Sequence, residues 1–198
     1  YPDFKWGPTT IISNAIGQGE ILVTPIQLAN MTAAIANKGY YFTPHIIKSI
    51  QGETINNKFT TKINTTIDSM YFDPVIEGMS KVYTNGTASF LKIPGISVCG
   101  KTGTAENFTK INGVKTQLTD HSIFIAFAPK ENPKIVISVL VENGYYGARW
   151  AGRIASLMIE KYLNGKVTLK NMERLVLNKS LESEYLKPYS NKPFKINQ

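Results

Sequence analysis

The chain has 198 residues, 42% of them hydrophobic and 18% charged, with a net charge of +8. That is chain enough for one buried core, or for one domain with an appendage, and its composition is neither disordered nor repetitive. A lone cysteine, Cys99, excludes an internal disulfide and a cysteine-cluster metal site, and no apolar run approaches the roughly 18–20 residues that span a bilayer. Half of the excess charge lies from Lys166 onward, seven Lys or Arg against three acids. Such a segment suits an anionic surface of lipid or nucleic acid, or is simply a solvated basic tail.

The opening "YPDFKWGPTT" lacks the basic start and apolar segment of a signal peptide. It reads as mid-chain loop, and the expectation is that it lies inside a larger protein. The first predicted helix starts at Thr24, an N-cap followed by Pro25, with Gln27 completing a capping box. Ile26, Ala29 and Ala33 form one face with Leu28, Met31 and Ile35 beside it, so burial on most sides is expected, and Gly39 is the natural stop. Asp73-Pro74 opens a second helix with Ile76, Met79 and Val82/Tyr83 on one face, ending at Asn85-Gly86.

Ile96 to Thr104 reads as a strand, and Cys99 within it as a small buried residue. Ile123, Ile125 and Phe127 alternate in a second strand, and Ile135 to Val141 is a third. The linker "APKENP" is too short for a crossover, so the last two pair antiparallel. A helix over Arg149 to Leu163 follows, with Trp150, Ile154, Leu157 and Met158 as its buried stripe and Asn164-Gly165 as its end. A short helix is expected around Leu169 to Leu177. The class is α+β, an antiparallel sheet covered by helices.

"GISVCGKTGTAE" supports two readings. Gly95, Gly100, Lys101 and Thr102 fit G-x-x-x-x-G-K-[ST], a phosphate-cradling loop. Lys101-Thr102-Gly103 fits K-T-G, a motif of the penicillin-reactive serine enzymes. A phosphate loop needs a helix opening at the Lys-Thr, but "GTAENFTKINGVK" follows instead, with Gly103, Asn107 and an Asn112-Gly113 turn. The strand "IVISVLVE" carries Glu142 where the second nucleotide motif has Asp. Context therefore favours K-T-G on a strand.

With "IGQGEILVTPIQLANMTAAIANKG", "EGMSKVYTNGTA", "CGKTGTAE", "DHSIFIAFAP" and "VLVENG" in this order, the chain resembles the class B penicillin-binding proteins. The resemblance is to the C-terminal part of their transpeptidase domain, in the elongation-type D,D-transpeptidase subclass. It runs from about Ile16 to Gly165, so residues 1–165 are assigned to that domain and 166–198 to a basic tail. It implies a partial penicillin-binding transpeptidase or serine β-lactamase-like fold. The family's nucleophile lies in S-x-x-K, with a second serine in S-x-N, both before the G-Q-G segment. No S-x-N occurs here, and the only S-x-x-K, Ser89 to Lys92, falls after G-T-A and is read as chance. Ser97-Val98-Cys99 is likewise a decoy on the K-T-G strand.

What the resemblance implies is one wall of an acyl-transfer site. Lys101 sets a positive charge beside the substrate's terminal carboxylate, and the hydroxyls of Thr102 and Thr104 bind it. Gly103 keeps the strand open to the donor peptide, and the Thr104 N–H is one of two oxyanion-hole donors. It implies as partners the D-Ala-D-Ala ends of peptidoglycan stem peptides, β-lactam antibiotics and membrane proteins of the elongation complex, with no nucleic acid, no metal and no cofactor. The parent enzyme is expected at the periplasmic face of the inner membrane, anchored by a segment outside this chain. The chain alone, without a nucleophile, is expected to be inert to penicillins, and its open cleft face to favour self-association. No chemical role follows from the sequence for Gln18 or Glu106.

Asp120-His121 does not make a triad, because neighbours in a strand point to opposite faces; His121 is expected at a strand start near the rim of the site. His45 is expected in a loop-to-strand turn, and two isolated histidines make no metal site. Two other functions share some of these features. A serine β-lactamase or penicillin-sensing receptor has K-T-G and the same fold, and a nucleotide-binding module would use the G-K-T loop.

Overall fold

The computed structural model describes residues 5–185. In chain order it places helices α1 (Pro8–Ala15) and α2 (Pro25–Ala36), strand β1 (Tyr40–Tyr41), helix α3 (Asn57–Thr60), strand β2 (Ile63–Asn64) and helix α4 (Phe72–Thr84). Strands β3 (Cys99–Ile111), β4 (Val114–Ala128) and β5 (Ile135–Val141) follow, then helices α5 (Ala151–Asn164) and α6 (Lys170–Leu177). β1 and β2 form a small antiparallel pair. β3, β4 and β5 form the main sheet in that order, all antiparallel, which leaves β3 at an edge.

Local chemistry explains most of these boundaries. The capping box at α2 is formed: Thr24 Oγ1 accepts from the Gln27 N–H, and the Gln27 side chain accepts from the Thr24 N–H at 2.7 Å. The helix unwinds through Lys38 and Gly39, both at positive φ, with the Gly39 N–H donating to the Ala34 carbonyl at 2.8 Å. α4 buries Ile76, Met79 and Tyr83 of the expected face, and Phe72 with them. Asn112 and Gly113 both have positive φ, as the two-residue turn of a hairpin requires.

The sheet separates two apolar clusters. On one face Phe124, Ala126, Ile137 and Val139 pack with Tyr83, Leu91, Ala151, Ala155 and Ile159. On the other, Cys99 and Phe127 pack with Ala36, Phe72, Ile76 and Met79. Helices therefore cover both faces, as the apolar β5 implies.

Outside the candidate site, the structure departs from the sequence expectations in five places. α1 begins at Pro8, inside the stretch read as loop; residues 1–4 of that stretch lie outside the described residues. β3 starts at Cys99 and continues to Ile111, and β4 starts at Val114. The extra hairpin arm is mostly polar, held by the ladder and by contacts such as Lys115 Nζ over the Phe108 ring, so apolar alternation does not reveal it. The buried stripe of α5 is rotated: Ala151, Gly152, Ala155, Ser156 and Ile159 face inward with Trp150, whereas Ile154 and Leu157 are half-buried and Met158 is exposed. A Cβ at Gly152 would lie 2.5 Å from Leu91 Cδ1 and 3.3 Å from Phe124 Cδ2. Leu91 and, from the sheet, Phe124 fill the space here, so the helix must present small side chains. α2 is not buried all round: Ile26 and Met31 are exposed. Ile11, Ile12, Ile16, Ile21 and Leu22 are exposed as well, the last by 82%. Finally, His45 sits in a loop that runs into no regular strand, its Nδ1 paired with the Thr43 carbonyl at 3.1 Å. The short helix expected beyond Gly165 is α6, which packs on α5; the last residues of the basic segment, 186–198, lie outside the described residues.

Candidate active site

No helix opens at Lys101-Thr102. Both residues lie within an unbroken strand, β3, so the phosphate-loop reading fails. Glu142, the residue that would have stood in for its acidic partner, instead accepts from the Tyr185 hydroxyl at 3.4 Å.

The register of β3 on β4 decides where each side chain points. Lys101 is opposite Ile125, Thr102 opposite Phe124, Gly103 opposite Ile123 and Thr104 opposite Ser122. Thr102 and Thr104 therefore share one face and Lys101 starts from the other. Its stem curls over the free edge, however, and the ammonium donates to the Thr102 carbonyl at 2.8 Å. The edge thus gathers a cation and two hydroxyls, with Lys101 and Thr104 exposed and Thr102 half-buried.

The backbone of this edge is equally specific. The Thr104 carbonyl accepts from Gln18 Nε2 at 2.8 Å, so it points away from β4. In an antiparallel ladder a residue's N–H and C=O point the same way. The Thr104 N–H therefore also faces the free edge. Between the Ala105–His121 and Asn107–Leu118 pairs, β4 carries one residue more than β3. This bulge bends the arm just past the candidate site.

Two neighbouring segments brace the strand. The G-T-A segment ends α4: a Cβ at Gly86 would meet Val82 Cα at 2.8 Å, Ala88 is fully buried, and Thr87 Oγ1 lies 3.3 Å from Thr102 Oγ1. On the Thr102 side of the sheet, the loop before α5 presses on Gly103. A Cβ at Gly147 would lie 2.5 Å from both the Gly103 and Ile123 carbonyl oxygens. Ser122, fully buried, ties this loop down: its hydroxyl donates to the carbonyls of Tyr146 and Gly147 and accepts from the Ala151 N–H.

The decoys separate cleanly. Ser89 is half-buried in a tight turn, Ser89–Leu91, and Lys92 is exposed after it; among the described residues no hydrogen bond joins them. Ser97 bonds Glu131 at 3.0 Å, and burial pushes the Cys99 thiol up to about 11. His121 lies well inside β4, not at a strand start, and its Nδ1 accepts from the Asn143 N–H at 3.1 Å. The Asp120 carboxylate faces Gln117, so the two neighbours form no triad. Among the described residues no three His, Cys, Asp or Glu side chains gather in a way that could hold a metal ion. Thr87 and Gln18 carried no chemical argument in the sequence; only their places in the G-T-A and G-Q-G stretches marked them.

A lysine and two threonines thus stand in K-T-G-T order on an edge strand, the motif and setting of the penicillin-reactive transpeptidase domains. Residues 1–160 match the family model for the penicillin-binding protein transpeptidase domain, and the chain belongs to that family. It is 33% identical over 169 residues to the peptidoglycan D,D-transpeptidase MrdA of Acinetobacter baumannii, a match covering 80% of this chain and 25% of that protein. The Haemophilus influenzae MrdA is likewise 33% identical, with 82% of this chain and 27% of that protein covered. Among solved structures, the chain is similar to Pseudomonas aeruginosa PBP2 in complex with WCK 5153, with a TM-score of 0.67 and 34% identity over 83% of this chain and 37% of that one. It also matches the imipenem acyl-enzyme of penicillin-binding protein A from M. tuberculosis, with a TM-score of 0.60 and 30% identity over 75% of this chain and 33% of that one. Within the family it is part of a class B transpeptidase domain, of the MrdA and PBP2 kind. It spans about a quarter of the length of the curated relatives it matches.

Proposed function

We propose that this chain is the carboxylate-binding and oxyanion wall of a serine D,D-transpeptidase that cross-links peptidoglycan in the elongation machinery. The attacking serine comes from polypeptide outside these 198 residues. Its oxygen adds to the carbonyl of the penultimate D-Ala, the terminal D-Ala leaves with the proton as its amine forms, and an acyl-serine remains. An amine from a neighbouring stem peptide then attacks this ester, forming the cross-link and returning the proton to the serine. A β-lactam enters by the same route, but its leaving nitrogen stays tethered.

Four groups of this chain act on that chemistry. The Lys101 ammonium and the hydroxyls of Thr102 and Thr104 hold the substrate's terminal carboxylate through charge-assisted hydrogen bonds. The Thr104 N–H donates to the oxygen that becomes negative in the tetrahedral intermediate, a contact worth most where water is excluded. Gly103 lies under both, held between Ile123 and the Gly147 loop. The observation that carries the reading is the register of β3, which aims two hydroxyls to one face and leaves the Thr104 backbone at the free edge.

No helix among the described residues is long and apolar enough to cross a membrane. The proposed site of action, the periplasmic face of the inner membrane with elongation-complex membrane proteins as partners, therefore rests on an anchor elsewhere in the parent. The test is cross-linking by the natural full-length protein, using a D-Ala-D-Ala stem pentapeptide and an amine acceptor. The wild type should release D-Ala and form cross-linked product, and Lys101→Ala should lose most of both. A wild-type protein that hydrolyses penicillin rapidly and forms no cross-link would replace this reading with the β-lactamase one.

A further inference from the structure

Gln18 makes two hydrogen bonds that the proposed chemistry leaves unexplained. Its Nε2 donates to the Thr104 carbonyl at 2.8 Å, and its Oε1 accepts from the Glu106 N–H at 3.2 Å. The two partners flank Ala105 and are 86 and 88 residues away in the chain. In a parallel ladder one residue's N–H reaches the carbonyl before its opposite number and its C=O reaches the N–H after it. The Gln18 carboxamide reproduces that pattern and occupies the free edge of β3 as a one-residue strand would.

We infer that Gln18 is a positioning residue of the acyl-transfer site, which rests on the function proposed above. The carboxamide stops pairing along the edge at the Thr104 carbonyl. Among the described residues the N–H groups of Thr104 and Thr102 remain open on this edge, beside the Lys101 ammonium that covers the Thr102 carbonyl at 2.8 Å, so an extended donor peptide can pair only up to that point. Gln18 thereby sets how far the substrate slides, and it holds the Thr104 peptide group in the orientation its N–H needs. The glutamine is delivered by the turn that ends α1, where the Gln18 N–H donates to the Ser13 carbonyl at 2.9 Å. A Cβ on Gly19 would lie 2.3 Å from Asn14 Oδ1, and Asn14 anchors the turn by donating to the Thr10 carbonyl and to Glu20 Oε2 at 2.9 and 3.1 Å. The glycines around the glutamine thus permit the tight turn that delivers it, Gly17 at φ +76 and Gly19 by its lack of a side chain.

Chemistry separates this role from bulk. A carboxylate at position 18 can accept from the Glu106 N–H but cannot donate to the Thr104 carbonyl. Gln18→Glu should therefore fail as Gln18→Ala does, although it fills the same volume. The experiment uses the natural full-length protein with benzylpenicillin, separating the dissociation constant of the non-covalent complex, the acylation rate constant and the titratable fraction of active sites. Both variants should acylate about tenfold more slowly, with dissociation constant and active fraction unchanged, as expected for a displaced transition-state donor. A loss confined to the active fraction would reduce Gln18 to a folding residue and overturn the inference, as would normal acylation by Gln18→Glu.

Hydrogen exchange gives a readout independent of acylation. The segment containing Glu106 should exchange about tenfold faster in Gln18→Ala than in wild type, because one amide loses its acceptor. Unchanged exchange there overturns the clip whatever the enzyme does. A wild-type protein that takes no penicillin at all would instead sink the transpeptidase reading, leaving the exchange result to decide the clip on its own.

Discussion

Gly147 is where the packing and the site meet, and Gly147→Ala puts a number on that meeting. A methyl at this position would lie 2.5 Å from the Gly103 and Ile123 carbonyl oxygens and 2.7 Å from the Gly103 nitrogen. Its φ is not positive, so alanine meets no backbone-torsion penalty there, and the cost is contact alone. All three neighbours are main-chain atoms of paired strands, so no side chain can rotate away; either the loop lifts or β3 shifts. Overpacking of this kind costs about 1–3 kcal/mol. The loop cannot lift freely, because the buried Ser122 hydroxyl binds the carbonyls of Tyr146 and Gly147. The strain should therefore reach Gly103 and displace the Thr104 N–H. In the full-length protein, urea titration should show the loss of stability, and the penicillin acylation rate should fall by about tenfold or more beyond any loss of folded protein. Gly78→Ala is the control. It lies on the exposed side of α4 with nothing within 4 Å of the added Cβ, and should stabilise by about 0.5–1 kcal/mol. A Gly147→Ala protein as stable and as fast as wild type would refute the close packing of this loop on the K-T-G strand.

Lys101→Ala should slow acylation by about one to two decades with little change in stability, since the loss is a charge-assisted contact of about 1.5–3 kcal/mol at an exposed position; an unchanged rate would mean that the ammonium does not meet the substrate. Tyr83→Phe should cost about 1–2 kcal/mol by chemical denaturation, because it strands the buried Ser156 hydroxyl that sits 3.0 Å from the phenol oxygen. Cys99 should resist thiol reagents at neutral pH until the protein unfolds. Its raised pKa also fixes a sign: the folded state binds its proton more tightly than the unfolded chain, so this contribution to stability is intact below the ordinary thiol value and falls as pH rises towards about 11. The isolated 198-residue chain, with large apolar side chains such as Ile16, Ile21 and Leu22 exposed, should show concentration-dependent association by sedimentation.

What could be read from the sequence follows from which interactions are local. The α2 capping box, the α4 face and β5 were legible because their signals lie within a few residues: Thr24 with Gln27, Ile76 with Met79 and Tyr83, and the run from Ile135 to Val141. The K-T-G strand was legible as a motif and its edge position followed from the short connection between β4 and β5. The polar hairpin arm was not, because Thr109, Lys110 and Lys115 are held by backbone ladder bonds and not by an apolar face. The α5 face was misread because its small inward residues depend on the volume of Phe124 and Leu91 from other elements. Gln18 and Thr87 were invisible for a related reason. Their partners, Thr104 and Thr102, are distant in sequence, and only the folded register brings them together.

The central claim is that this chain supplies the wall of the acyl-transfer site and not its nucleophile. Intact-mass and peptide mapping after incubation with excess benzylpenicillin tests it directly, run on the natural full-length protein and on the 198-residue chain in parallel. The account predicts one covalent adduct per full-length molecule, on a serine of an S-x-x-K sequence outside these residues, and none on the isolated chain. A stoichiometric adduct on Ser89 in either sample would contradict it.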